Sequence, residues 1–136
     1  MSMTAHKQYK QVQVKTANNK KLLLMLYQGC IKFLRIAKKS IKEEDMENAN
    51  EYLKKSQAII DELRYTLDMD KGGEISNNLY KLYNFMYSEL ISANINKEIE
   101  PIENVEELMM DLLETWKEVI NNPNQGNEQQ KINMSG

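Results

Sequence analysis

Cysteine, histidine, proline and glycine are all scarce in this chain, at one, one, two and five residues among 136. With Cys30 alone, no internal disulfide can form. His6 cannot supply the Glu-x-x-His pairs of a di-iron bundle, and it stands outside the helical segments where a phosphotransfer histidine is needed. So few turn formers argue against an all-β fold and for long helices joined by short links. No run approaches the roughly 18 uncharged apolar residues of a membrane-crossing helix. The opening MSMTAHKQYK lacks the apolar core of a secretory signal, which points to a cytoplasmic protein with no direct membrane insertion. Only two of the 18 basic residues are arginine, and basic and aromatic residues do not interleave, so nucleic acid is not an expected partner.

What is present is apolar material for one domain, 41% hydrophobic against 28% charged, enough at this length for a real core. Its densest part is Leu22–Ala37. At helical spacing Leu23, Leu26, Tyr27, Cys30, Phe33, Leu34, Ala37 and Ile41 form one stripe. Leu22, Leu24, Met25, Ile31 and Ile36 remain outside it. A helix apolar over most of its circumference needs cover on several sides, from its own chain or from a partner. Charge is asymmetric as well. Residues 1–44 carry ten Lys/Arg and two Asp/Glu, a balance of +8, whereas residues 45–136 carry eight and eighteen, a balance of −10. Antiparallel helices can neutralise each other across a bundle.

Taken in order, residues 1–17 are polar with isolated Met3, Tyr9, Val12 and Val14, and read as a flexible arm. A first helix is predicted over about Lys20–Glu43, with Asn18 or Asn19 as its cap. A second covers about Met46–Leu67, capped by Asp45 and carrying Ala49, Leu53, Ser56, Ile60, Leu63 and Leu67 on one stripe. Lys71-Gly72-Gly73 is the clearest break. The third helix, about Glu74–Asn96, has a core stripe through Leu79, Leu82, Met86 and Leu90 and a second stripe of Tyr80, Tyr83, Tyr87 and Ile91. Tyrosine joins apolar area to a polar tip, which suits an interface. Pro101 opens a fourth helix to about Asn121, with Val105, Leu108, Met109, Leu112 and Trp116 inward and Glu103, Glu106, Glu107, Asp111, Glu114 and Glu118 on an acidic outer face. Residues 122–136 are rich in Asn, Gln and Gly and are expected to be disordered. The fold expected is all-α, an antiparallel up-down four-helix bundle over 18–121 with an N-terminal arm or short capping helix. Its core is expected to include Leu26, Phe33, Leu53, Leu63, Leu82, Met86, Leu112 and Trp116.

No catalytic constellation emerges. Cys30 lies among apolar residues, as a core thiol does. Asp68/Asp70 and Glu106/Glu107 read as solvated surface rather than an acid–base pair. Gly72-Gly73 lacks the flanks of a phosphate loop. No enzyme activity, metal site or cofactor is expected, which leaves a binding protein.

The order of residues is itself informative. Thr16-Ala17, then Leu22-x-Leu24-Met25-Leu26-Tyr27-x-Gly29-x-Ile31-Lys32-Phe33-Leu34 and Ala37, resembles the opening helix of the flagellin-export chaperone family, FliS. The similarity continues through Gln57-Ala58-Ile59-Ile60-x-Glu62-Leu63, Leu67-Asp68, Gly73-Glu74-Ile75, Asn78-Leu79, Leu82-Tyr83-x-x-Met86, Leu90, Ala93-Asn94 and Trp116-Lys117. The family usually has Ser-Pro and then Gly or an acidic residue where this chain has Asn18-Asn19-Lys20-Lys21, which alters the cap and the local charge. The resemblance implies a cytoplasmic helical bundle that binds the disordered C-terminal segment of flagellin, prevents premature polymerisation and delivers it to the flagellar type III export gate. Candidate contacts are Leu24, Tyr27 and Ile31 on the first helix and Tyr80, Tyr83 and Tyr87 on the third, with Tyr9 and Val12 of the arm covering part of the groove. A general helical adaptor for another amphipathic helix, and a small bundle enzyme, are the competing readings.

Overall fold

The computed structural model describes residues 19–122, which form four helices and no strand. α1 is Asn19–Lys42, α2 Met46–Tyr65, α3 Gly73–Asn96 and α4 Glu100–Asn121, each within two residues of its sequence-based bounds. The expected arm and tail, with Tyr9, Val12 and Asn18, lie outside the described residues except for Asn122.

The links explain where the helices stop. Asp45 caps α2, its carboxylate accepting the Asn48 backbone N–H at 3.1 Å. Glu44 and Lys97 take left-handed φ values of 61° and 53°, which turns the chain out of α1 and α3. The next amide then bonds back into the helix, Asp45 to the Ser40 carbonyl at 2.8 Å and Glu98 to that of Ala93 at 3.1 Å. α2 ends at Tyr65, two residues before the predicted Leu67, because Asp68 draws the chain into a turn by accepting the N–H groups of Asp70 and Lys71. Gly73 follows with φ +55°, and a side chain at Gly72 would collide with Ser76 and the Asp68 carbonyl.

Each helix packs on two neighbours, in the ring α1–α2–α3–α4–α1. Cross-helix pairs show that every adjacent pair runs antiparallel where they can be read. Ser40 meets Asn48 while Cys30 reaches the Ser56 carbonyl; Asn50 meets Asn94 while Arg64 meets Asn84; Arg35 meets Glu106 while Tyr27 meets Trp116. The sequence therefore closes into an up-down four-helix bundle, with the first and last helices side by side.

Tyr27, Leu34, Leu53, Ile60, Leu63, Tyr83, Met86, Leu90, Ile102, Val105 and Met109 form the fully buried centre. Each such side chain contributes about 1.5–3 kcal/mol by leaving water. Of the expected core, Leu53, Leu63 and Met86 are fully buried, whereas Leu26, Phe33, Leu82, Leu112 and Trp116 are half-buried at its edges. On α4 the buried line runs Ile102, Val105, Glu106, Met109, Leu113, so the helix is rolled slightly toward α1 relative to the predicted phase.

Two helices that share no seam meet through the centre. The Tyr27 and Tyr83 hydroxyls hydrogen-bond to each other, and the Trp116 indole N–H donates to the Tyr27 hydroxyl at 3.1 Å. A buried phenol must find such a partner or lose the bond it made to water. Burial raises the pKa of both tyrosines, against the opposing pull of the Tyr83 and Trp116 hydrogen bonds on Tyr27. Burial likewise pushes the Cys30 thiol up to about 12.

A thiol reagent at neutral pH is therefore expected to leave Cys30 untouched in the native chain and to react fully after denaturation; prompt reaction in the native state shows an open core. Raised acid pKa values mean stability that is complete below the unfolded values and lost as pH climbs through the folded ones, so alkaline melting should begin near pH 9, where the unfolded thiol starts to ionise. Cys30→Ala should flatten the first part of that decline. Trp116→Ala should cost about 2–3 kcal/mol, short of the roughly 3–5 of a fully buried ring, since the indole is half-exposed. An unchanged melting temperature places the indole outside the cooperative core.

Candidate partner-binding grooves

Two of the seams leave apolar side chains open at the surface. The first lies between α1 and α4, a groove of about 490 Å³ lined by Gln28, Ile31, Lys32, Arg35, Ile36, Met110, Leu113, Glu114 and Lys117. Ile31 and Leu113 form its buried floor, Ile36 is half-buried and Met110 is exposed. The second runs down α3 on the side facing α2, where Tyr80, Ile91 and Ile95 are exposed and Tyr87 is half-buried. Their spacing keeps them on one face over about 22 Å of helix. Arg64 of α2 holds that face in place, stacking over the Tyr87 ring at 4.5 Å, donating to Asn84 at 2.7 Å and pairing with Asp61.

The seam between α1 and α2, by contrast, is filled. Phe33 and Tyr52 pack with ring centroids 5.5 Å apart, Lys55 lies over both rings, and Ile59 sits against Gly29. A Cβ at Gly29 would stand 3.5 Å from the Ile59 methyl, an ordinary contact, so close approach does not demand glycine there.

Under the first groove sits the main electrostatic feature. Glu106, expected on the solvated outer face of α4, is instead 8% exposed. It accepts from Arg35 Nε at 2.8 Å and pairs with Lys38 Nζ at 2.5 Å, while Lys38 also reaches Glu103 at 3.7 Å. The roll of α4 that buries Leu113 carries Glu106 inward, where two cations of α1 compensate its lost hydration. Burial pushes the carboxyl pKa up, but the Lys38 and Arg35 bonds outweigh it and hold the group below its ordinary value. Part of the charge asymmetry of the sequence is neutralised here. Arg35 also touches the Met110 sulfur at 3.7 Å, and Lys117 pairs with Glu114 at 3.6 Å, both along the groove.

The structure divides the expected contact residues into three groups. Ile31 lines the α1–α4 groove, and Leu24, half-buried, packs against the core on the same helix. Tyr80 and Tyr87 belong to the α2–α3 seam on the far side of the ring. Tyr27 and Tyr83 are core side chains with 0% and 1% exposure, because their hydroxyls find each other. Periodicity alone could not separate Tyr83 from Tyr80 and Tyr87, since one stripe turns gradually from core to shoulder. Ile36, Met110 and Leu113 were missed as groove residues; the signal was there in the apolar positions left over from each helix's main stripe. Among the described residues no three Asp, Glu, His or Cys side chains group to hold a metal, and no helix is long and apolar enough to cross a membrane.

The fold is a small helical bundle that leaves apolar side chains open along two of its seams. The family follows from sequence: the model of Flagellar protein FliS matches residues 2–123, and the chain belongs to that family. It is 41% identical to the flagellar secretion chaperone FliS of Bacillus subtilis, over 82% of this chain and 83% of that one. It is 36% identical to the Salmonella typhimurium chaperone of the same name, over 83% and 87% of the two chains. A crystal structure of a flagellar chaperone from bacteria superposes with a TM-score of 0.74 at 22% identity, covering 90% of this chain and 99% of that one, which is a likeness of fold. The family is one of chaperones and not of enzymes.

Removing the Glu106 charge tests the groove's foundation. Glu106→Gln should lower stability near neutral pH by about 1–2 kcal/mol, with the more exposed Arg35 moderating the loss. A depressed carboxyl pKa gives stability that is present above the unfolded value and lost as pH falls through the folded one, so the wild type should weaken below the ordinary carboxylate range and the variant should lack that part of the decline. Parallel acid melting curves for the two proteins place Glu106 outside the stabilising network.

Proposed function

We propose that the chain is a cytoplasmic export chaperone that binds the disordered C-terminal segment of flagellin, keeps it from polymerising prematurely and hands it to the flagellar type III export apparatus. The observation that carries this reading is the pair of unfilled apolar seams in a chain of a flagellar chaperone family. Each seam suits an amphipathic helix whose anchors recur at i, i+3 or i+4 and i+7. Ile31 serves one seam and Tyr80 with Tyr87 the other, with Leu24 two turns before Ile31 on α1. A ligand that fills both must pass around the bundle, which a disordered segment can do as it folds. Ordering such a segment on the surface costs part of the binding energy, leaving affinity modest for the area covered.

Calorimetric titration of the purified chain with a peptide from the end of the cognate flagellin tests this directly. One-to-one binding with a gain of helical circular dichroism is expected, and none with a scrambled peptide. No binding overturns the reading, and equally tight binding of unrelated amphipathic helices favours a general adaptor. Tyr80→Ser with Tyr87→Ser should weaken binding about tenfold or more with the helical spectrum retained, two interface aromatics being worth at least that. Full affinity in that double variant removes the α3 face from the site.

A further inference from the structure

We propose that Met110 is a modification site in the α1–α4 groove: it takes one oxygen atom from a hydroperoxide, Arg35 holds the sulfoxide that forms, and the groove loses affinity for an apolar ligand. The loss of affinity rests on the partner-binding reading above; the modification itself does not. Among the described residues Met25, Met46, Met69 and Met110 are exposed, whereas Met86 and Met109 are fully buried and shielded from an oxidant. Of the exposed four, Met110 alone lines the groove. The Arg35 Nη2 group donates to its sulfur at 3.7 Å. Cys30 does not compete for the oxidant, because its thiol is buried and pushed up to about 12.

In the step itself a sulfur lone pair attacks the outer oxygen of the hydroperoxide. The S–O bond forms as the O–O bond breaks, and the proton on the transferred oxygen passes to the departing alkoxide. Sulfur gives up two electrons, and the peroxide is reduced to an alcohol, or to water when it is hydrogen peroxide. The product carries a strong hydrogen-bond acceptor where the thioether carried a weak one. Arg35 already points Nη2 at this place while its Nε is held by Glu106 at 2.8 Å, so one guanidinium serves the carboxylate and the sulfoxide together. The new oxygen thus finds a partner at the groove wall and stays there. Its other lone pairs need water, which an apolar anchor of a ligand helix would displace. The core is untouched, since Met110 is exposed and the buried Met109 and Leu113 keep their packing.

The test treats the full native chain with dilute hydrogen peroxide and locates the added oxygen by peptide mass mapping. Met110 is expected to gain one oxygen while Met86 and Met109 gain none, with the helical circular dichroism retained. The Arg35 side-chain N–H resonances should shift on oxidation of the wild type and stay in place in treated Met110→Leu. Affinity for the flagellin peptide should fall about tenfold in the oxidised wild type and return after treatment with methionine sulfoxide reductases of both epimer specificities. Whatever the starting affinity of Met110→Leu, peroxide should not lower it. A chain with Met25, Met46 and Met69 all replaced by Leu should still respond as the wild type does. Met110 left as a thioether while Met25 is oxidised overturns the proposal. So do unmoved Arg35 resonances, loss of the helical signal, or an equal fall in affinity for the wild type and Met110→Leu. No binding of the flagellin peptide to the untreated chain removes the functional reading alone, and oxygen on Met110 with the Arg35 shift still sustains the modification site.

Discussion

The structure depends on the cover that α1 requires. Its apolar residues spread over more than half its circumference, so one neighbour cannot bury them. α2 takes one side, where Phe33, Gly29 and Ser40 meet Tyr52, Ile59 and Asn48. α4 takes the other, where Ile31 and Tyr27 meet Leu113 and Trp116. Bringing the last helix back onto the first closes the ring, and α3 is held opposite by the Tyr27–Tyr83 bond through the centre. Short links then suffice, since three of the helix ends turn on single residues, Glu44, Asp45 and Lys97.

Closing the ring has an electrostatic condition. α1 is wholly basic in its charged residues and α4 largely acidic, so their approach is favourable over its length. The same approach places Glu106 at the interface, where it survives burial only because Arg35 and Lys38 both reach it. Ion pairing and apolar packing thus share one seam. The packing is tight below, at Ile31 and Leu113, and leaves a groove above, between Ile36 and Met110. That incomplete filling separates this seam from the α1–α2 seam, which aromatic rings fill.

The division of labour among tyrosines shows how one residue type serves two ends. Tyr27 and Tyr83 spend their hydroxyls on each other and on Trp116, and are lost to the surface. Tyr80 and Tyr87 lie on the shoulder of the same helix as Tyr83, with Arg64 steadying one of the rings. The core hydrogen bonds beneath and the Arg64 contact above hold this apolar face in place within the folded chain itself.

The amino-acid sequence determined the helices, the Asp45 cap and the breaks, because those follow from local chemistry: apolar spacing, a capping carboxylate, the Gly72-Gly73 turn and Pro101. It also determined the bundle, since an α1 with such a wide apolar surface has no simpler cover, and the ordered series of residues carried the family. What only the tertiary structure decided is which shoulder of each stripe faces inward. A roll of α4 by a fraction of a turn exchanges Leu113 for Leu112 and draws Glu106 out of solvent. Tyr83 is buried and Tyr80 exposed although both belong to one periodic stripe, because the position of the neighbouring helices, and not the spacing, sets where the core ends. Core and groove residues have the same chemistry, and only packing tells them apart.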